Sequence, residues 1–434
     1  MPKFDFRPWL LVAAFSVVLF LITAATYNAL GVVLPNMVKE EGWSWTEAGF
    51  GFTLLGAATG GSSFIPPMLI RRFGVRATLL CGTAVMAAGF YSLSKTEGAA
   101  LYFVGAALCG VGYQMMALIP GTYVLAAVFK HRALPFGVYF AGAALGGIAG
   151  PIMVLALMHV FHDQWRMFWL AQAGLAAVVG VIAAAMVPSK ASLARSSAQT
   201  DLEVAEEVSH TPTSSVYRTL VDWTAAEALR TPQFYVLLAA YFAHLLIGVT
   251  VAADSVAHLT QRGVALVVAS AMLSIEALMQ AAGRTFGGLI GDLVDPRYLL
   301  LAALASLAVG SAALSVADSY PMMILYAIGS GVGFGLTLLT VTVLLLNYYG
   351  RKHNLEIFSL TCLIGAVSAL GPTIGGKLRD LTGSFTSTFQ LFAGVILVIL
   401  VAVMFMRPPR RAASPESPAD EPADLTARFA QDPA

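Results

Sequence analysis

AMLSIEALMQAAGRTFGGLIGD, residues 271–292, continues an apolar run from Val264 that is long enough to cross a bilayer, yet it carries Glu276, Gln280 and Arg284. An Arg or Asp at the centre of a spanning helix costs roughly 2.5–3.5 kcal/mol on insertion scales, so such residues face a wet cavity or a partner. On a helix rising ~1.5 Å per residue, Glu276 and Arg284 stand about 12 Å apart along the axis and roughly 80° apart around it. They cannot neutralise each other, and each needs water, a neighbouring helix or a ligand.

The rest of the chain is of the same kind. It is 58% hydrophobic and 11% charged, against about 25% charged in soluble domains, which excludes an ordinary soluble protein. A formal net charge of +1 offers no basic field for nucleic acid. Apolar runs near the ~20 residues a bilayer requires occur at 9–38, 47–70, 77–94, 100–128, 134–159 and 166–187, then at 232–259, 264–291, 297–316, 321–349, 356–377 and 385–406. The expected fold is therefore all-α, a polytopic membrane protein with twelve transmembrane helices in two six-helix halves. The run from Trp9 is too long for a signal-peptide core and reads as an uncleaved first span.

Residues 188–231 are rich in Ser, Thr and Glu and read as a linker, in which DWTAAEALR (222–230) is a candidate for a short surface helix. The tail from Arg410 is rich in Pro, Asp, Glu and Ala and is expected to be disordered. This divides the chain into halves at 1–187 and 232–409, the linker at 188–231 and the tail at 410–434. Cys81, Cys109 and Cys362 lie scattered in apolar runs and read as small packing residues, with neither disulfide nor metal spacing. His159, His162 and Asp163 cluster at one loop but lack further ligands at metal spacing. No phosphate loop, nucleophile elbow or zinc pattern gives enzymatic chemistry a seat, and no cofactor is expected.

Shifting the first half by 221 positions superposes Gly42 on Gly263, Arg76 on Arg297, Gly110 on Gly331, Gly112 on Gly333, Lys130 on Arg351, Gly150 on Gly371 and Pro151 on Pro372. One offset holding for glycines, prolines and basic residues is the trace of an internal repeat. Sorting Lys and Arg by side puts eighteen with the termini and linker and six opposite, with Arg284 in the membrane. The positive-inside rule then sets both termini and the linker in the cytoplasm of a cell membrane, or of the inner membrane in a bacterium.

A twelve-span chain of two repeats with a central linker resembles the major facilitator superfamily. IRRFGVR (70–76) and GGLIGDLVDPR (287–297) are similar to its basic turns after helices two and eight, with Arg71 where the first turn usually has Asp and Asp292 kept in the second. That resemblance implies gating or structural roles for Arg72, Gly74, Arg76, Asp292 and Arg297. FGVYFAGAALGGIAGP (136–151) resembles the glycine-proline motif, in which Gly150 and Pro151 serve packing or a hinge. KHRALPFGVYFAGAALG (130–146) further resembles the monocarboxylate transporter branch. The resemblance puts Arg284 in AAGRTFGG (281–288) at the place of a carboxylate-binding arginine. It departs in helix one, where Tyr27, Asn28 and Val32 stand without a lysine, and one turn before Arg284, where Gln280 stands for an aspartate. The related oxalate/formate exchangers pair this arginine with a lysine in helix eleven; residues 356–376 have none, and a single fixed cation suits one carboxylate.

The expected function is secondary active transport of a small organic anion, a monocarboxylate, by alternating access with a proton as coupling ion. The alternatives are an anion exchanger, a drug exporter, or a ligand sensor without net transport. The substrate-site candidates are Arg284, Gln280, Tyr27, Asn28, Tyr113, Gln114 and Tyr123, the last five because helices one and four line the cavity in the family. Glu276, Asp254 and His244 are the proton-coupling candidates, each with a plain interhelical hydrogen bond as the alternative. The lipid bilayer is the remaining partner, and the chain is expected to be monomeric.

Overall fold

The computed structural model describes residues 7–43, 45–162, 164–210, 217–219, 221–291 and 293–409. The side chains of Asn28 and Pro151 lie outside that description, as do Asp163, Asp292 and the whole of the expected tail. Twelve helical spans follow one another: α1 (7–41), α2 (45–73), α3 (Val75–Ser94), α4 (Ala99–Val128), α5 (Ala133–Val160) and α6 (Trp165–Met186) in the first half. α7 (Pro232–Gln261), α8 (Leu266–Ile290), α9 (Pro296–Ser315), α10 (Tyr320–Tyr349), α11 (354–382) and α12 (Thr386–Phe405) form the second. Among the described residues, ten of these are long and apolar enough to cross a membrane by length and composition. α2 is interrupted between Trp45–Gly61 and Ile65–Phe73, where Pro66 and Pro67 withhold two N–H donors.

The repeat is visible as matched backbone contacts. A Cβ added to Gly110 of α4 would sit 2.3 Å from the Leu55 carbonyl oxygen of α2, and one added to Gly331 of α10 would sit 2.4 Å from the Glu276 carbonyl oxygen of α8. Leu55 and Glu276 are themselves 221 apart. Gly112 and Gly333 meet Met86 and Leu307, another such pair. Small residues let helix backbones approach where no side chain would fit. Arg76 Nε donates to the Val187 carbonyl and Arg297 Nη1 to the Met406 carbonyl, each at 2.6 Å. So in both halves the third helix is tied to the end of the sixth.

Opposite the linker, two clasps hold helix ends together. Arg166 pairs with Glu40 and Glu41 and donates to the Thr96 carbonyl, and its hydrogen bond holds the Glu40 carboxyl below the usual range. Arg262 pairs with Asp318 and donates to Thr386.

Two segments add to the expected outline. The linker contains a helix, Lys190–His210, along α4, with Leu193 and Thr200 buried and Thr200 Oγ1 3.3 Å from the Ala127 carbonyl oxygen. Its Ala, Leu and Glu are good helix formers, and α4 supplies the apolar surface the segment itself lacks. The anticipated short helix is Ala225–Ala228, closed by a capping box between Thr224 and Glu227. In α5, Gly142 and Gly146 pack on the Ser16 and Phe20 carbonyls of α1, whereas Gly147 faces open space. The helix runs unbroken through Gly150 and Pro151; it is α11 that breaks, near residues 364 and 369–370.

Candidate functional site

Two helix crossings join the halves. α5 meets α8 where a Cβ on Gly137 would lie 2.4 Å from the Arg284 carbonyl oxygen, and α2 meets α11 where one on Gly60 would lie 2.2 Å from Ala366 N. At the first crossing Arg284 is buried, and its Nη1 donates to the Phe140 carbonyl of α5 at 2.6 Å. At the second, Ser359 Oγ donates to the carbonyl of Ser63, the residue 221 before Arg284, at 2.6 Å. The break in α2 frees that carbonyl from its own helix.

Arg284 Nε has no partner, and among the described residues no carboxylate lies within ion-pair distance of the guanidinium. Its carbon stands 5.7 Å from the centre of the Phe334 ring, an attractive cation–π arrangement. Phe334 in turn packs on His244 at 3.9 Å, and His244 on Tyr241 at 5.7 Å. His244 is thus boxed between rings and lies near Arg284, with Nδ1 unpartnered. Tyr113 reaches the same region from the first half, within electrostatic range of Arg284.

Tyr27 and Tyr113, two of the candidates on the first half, come together. Their rings meet edge to face at 5.5 Å, Tyr27 OH donates to Thr59 Oγ1 at 2.8 Å, and Tyr113 OH lies 3.2 Å from Thr23 Oγ1. Tyr27 lies within a π-helical turn of α1, Ala24–Asn28, and Tyr113 precedes another in α4, Gln114–Leu118, a local irregularity frequent at functional sites. Gln114, one residue on, is buried within its own half. Tyr123 lies ten residues further along α4, in electrostatic range of Arg71 and Glu356 and away from Arg284.

Glu276 is buried, and both its carboxylate oxygens accept from Gln280 Nε2, at 2.8 and 3.0 Å. Gln280 is therefore engaged along its own helix and serves Glu276. Asp254 is only partly buried; its Oδ2 has no partner and lies 2.6 Å from where a Gly375 Cβ would be.

The linker face is sealed. Arg71 pairs with Glu356 and contacts His353 Nδ1 at 3.3 Å; Arg132 Nη1 donates to Asn347 Oδ1 at 3.4 Å, and Arg351 donates to the Ala126 carbonyl. These contacts, with those of Arg284 and Ser359, join the halves between the level of Arg284 and this face. Arg71, occupying the usual Asp position of the turn, makes the cross-half ion pair with α11. Arg72 instead lies over the Phe73 ring at 5.1 Å, while Gly74, at φ +86°, makes the turn into α3. Sequence reasoning missed Thr23, Thr59, Phe140, Glu356 and Phe334; the 221 offset, which maps Tyr113 onto Phe334 and Thr23 onto His244, points to the last.

Comparison with known proteins agrees with this architecture. The family model of the Major Facilitator Superfamily matches residues 16–275 and 237–431. Monocarboxylate transporter 4 of Rattus norvegicus is 24% identical over 394 residues, 87% of this chain and 79% of that protein. Monocarboxylate transporter 2 of Meriones unguiculatus is 31% identical over 33% of this chain, and the agnestins efflux protein AgnL12 of Paecilomyces divaricatus 32% identical over 24%. The chain spans only 31% and 24% of these last two proteins. Among solved structures, the proton:xylose symporter XylE matches with a TM-score of 0.67 at 12% identity, covering 92% of this chain and 95% of that one. The human organic anion transporter MFSD10 matches at 0.63 and 14% identity, covering 93% and 100%. With the family model matching most of its length, this chain belongs to the major facilitator superfamily, as a multi-pass membrane protein similar to the monocarboxylate branch.

Proposed function

We propose that the protein is a secondary active transporter of a small monocarboxylate, working by alternating access and coupled to a proton. The observation that carries this reading is Arg284: a buried guanidinium at the crossing of the halves, held by one backbone carbonyl, with Nε unpartnered and no described carboxylate within reach. A carboxylate entering the site would complete it through charge-assisted hydrogen bonds, strong in a low-dielectric setting. The same group bridges α8 to α5, so binding there bears directly on how tightly the halves hold. Glu276, whose described partner is the neutral Gln280, is the group we assign the coupling proton, with Asp254 and His244 as the alternatives.

Lysine keeps the charge but loses the planar fork. Arg284→Lys is expected to weaken carboxylate binding by about tenfold and Arg284→Gln by a hundredfold or more, on the order of 1.4 and 2.7 kcal/mol. Both variants should still insert, since removing a buried charge eases insertion. Titration of a monocarboxylate panel against purified protein reads this, and undiminished binding in both variants sinks the reading. A second reading, efflux of a lipophilic compound, draws on the likeness to an efflux protein over 24% of the chain. It has no use for a buried guanidinium, so the same variants separate the two.

We further place the linker and both termini in the cytoplasm, on the Lys/Arg asymmetry. A single cysteine at Ser196, with exposed Cys81 replaced by Ser, should resist an impermeant thiol reagent in intact cells. Labelling there reverses the orientation.

A further inference from the structure

Arg284 sits among rings supplied by both halves. Tyr27 and Tyr113 are half-buried, meet edge to face, and approach the second half near Tyr241; Tyr27 also meets Phe52 at 6.1 Å. Their hydroxyls are already engaged: Tyr27 OH donates to Thr59 Oγ1, which donates to the Leu55 carbonyl at 2.8 Å, and Tyr113 OH is bonded to Thr23 Oγ1. These bonds fix the planes of both rings and leave their apolar edges and faces, rather than free hydroxyls, for a bound molecule. Across from them, Phe334 stands between His244 and the guanidinium, at the position 221 residues after Tyr113. The space its ring fills exists because position 248 is glycine, where a Cβ would lie 1.8 Å from a Phe334 ring atom.

We propose that the transported acid carries its carboxylate on an aromatic ring, as benzoate does, and that Tyr27, Tyr113 and Phe334 select for that ring. This rests on the carboxylate reading of Arg284 and extends it to the body of the substrate. A fixed cation binds any carboxylate; pre-oriented rings add affinity only for a planar π system, through edge-to-face and offset contacts. Phe334, 5.7 Å from the guanidinium carbon, places an aromatic face beside the site where the carboxylate would bind. A short acid such as lactate meets the cation but leaves the tyrosine rings without a partner.

The test is isothermal titration of the purified full-length protein with benzoate, cyclohexanecarboxylate, lactate and benzamide. Benzoate is expected to bind at least about tenfold tighter than lactate, the sum of two ring contacts, and several-fold tighter than cyclohexanecarboxylate, which has the same size without the π face. Benzamide, which lacks the charge, should not bind measurably. Tyr113→Leu and Tyr27→Leu should narrow the ratio of benzoate to lactate affinity, while Tyr113→Phe, which keeps the ring and secures a result if the leucine variants misfold, should preserve it. Equal binding of benzoate and cyclohexanecarboxylate, or of benzoate and lactate, overturns ring selection and leaves the carboxylate reading of Arg284 intact. Benzamide binding as well as benzoate, or no acid binding at all, overturns both.

Discussion

Positions 221 residues apart occupy equivalent places in the two halves, and around the crossings they carry different chemistry. Thr23 answers to His244, Tyr27 to Gly248, Leu55 to Glu276, Thr59 to Gln280, Ser63 to Arg284 and Tyr113 to Phe334. The first half offers hydroxyls and rings, those of α1 and α4 at or beside π turns; the second offers the ionisable groups on α7 and α8, which are regular helices. What the halves share is backbone contact, through glycines that meet matched carbonyls. The duplicated architecture thus rests on small residues that set helix separation, and that leaves the side chains facing the other half free to diverge. Around the crossings, ionisable side chains are concentrated on the wall supplied by the second half.

The largest effect should come from removing a charge that only the second half has. Glu276→Gln keeps the shape and the neighbour Gln280, and should abolish uptake driven by a pH gradient while exchange of substrate across the membrane continues. Uptake by the variant that still follows the pH gradient would move the coupling proton to Asp254 or His244; the charged wall would then work through α7.

A smaller effect sharpens what the halves have in common. Gly110→Ala and Gly331→Ala each put a methyl group against a backbone carbonyl, and each should destabilise the purified protein by about 1–3 kcal/mol, the usual cost of overpacking. The two losses should match, because the contacts do. Thermal unfolding that showed one substitution harmless and the other severe would mean that the repeat is preserved in sequence alone.

Much of the fold is legible in the sequence. Twelve apolar runs, one repeat offset and the position of Glu276 and Arg284 within a spanning segment are local or one-dimensional properties, and the bilayer's demand for satisfied backbone groups turns them into helices. The linker helix is not, since its helix-forming residues need the apolar surface that α4 supplies. At the site, the residue types were readable but their partners were not. Successive residues on a helix turn by about 100°, so Tyr113 faces the other half while Gln114 is buried in its own, and no composition rule separates them.

The sequence by itself determined that a membrane bundle of two related halves would carry an arginine and a glutamate that cannot meet. Only the tertiary structure decided that Arg284 would reach the Phe140 carbonyl, that Glu276 would turn to Gln280, and that Arg71 would find Glu356 across the linker face. The physical reason is that spanning length is set by the membrane along each helix separately. Pairing depends instead on how each helix is rotated about its axis and which neighbour it meets, and packing of the whole bundle sets both.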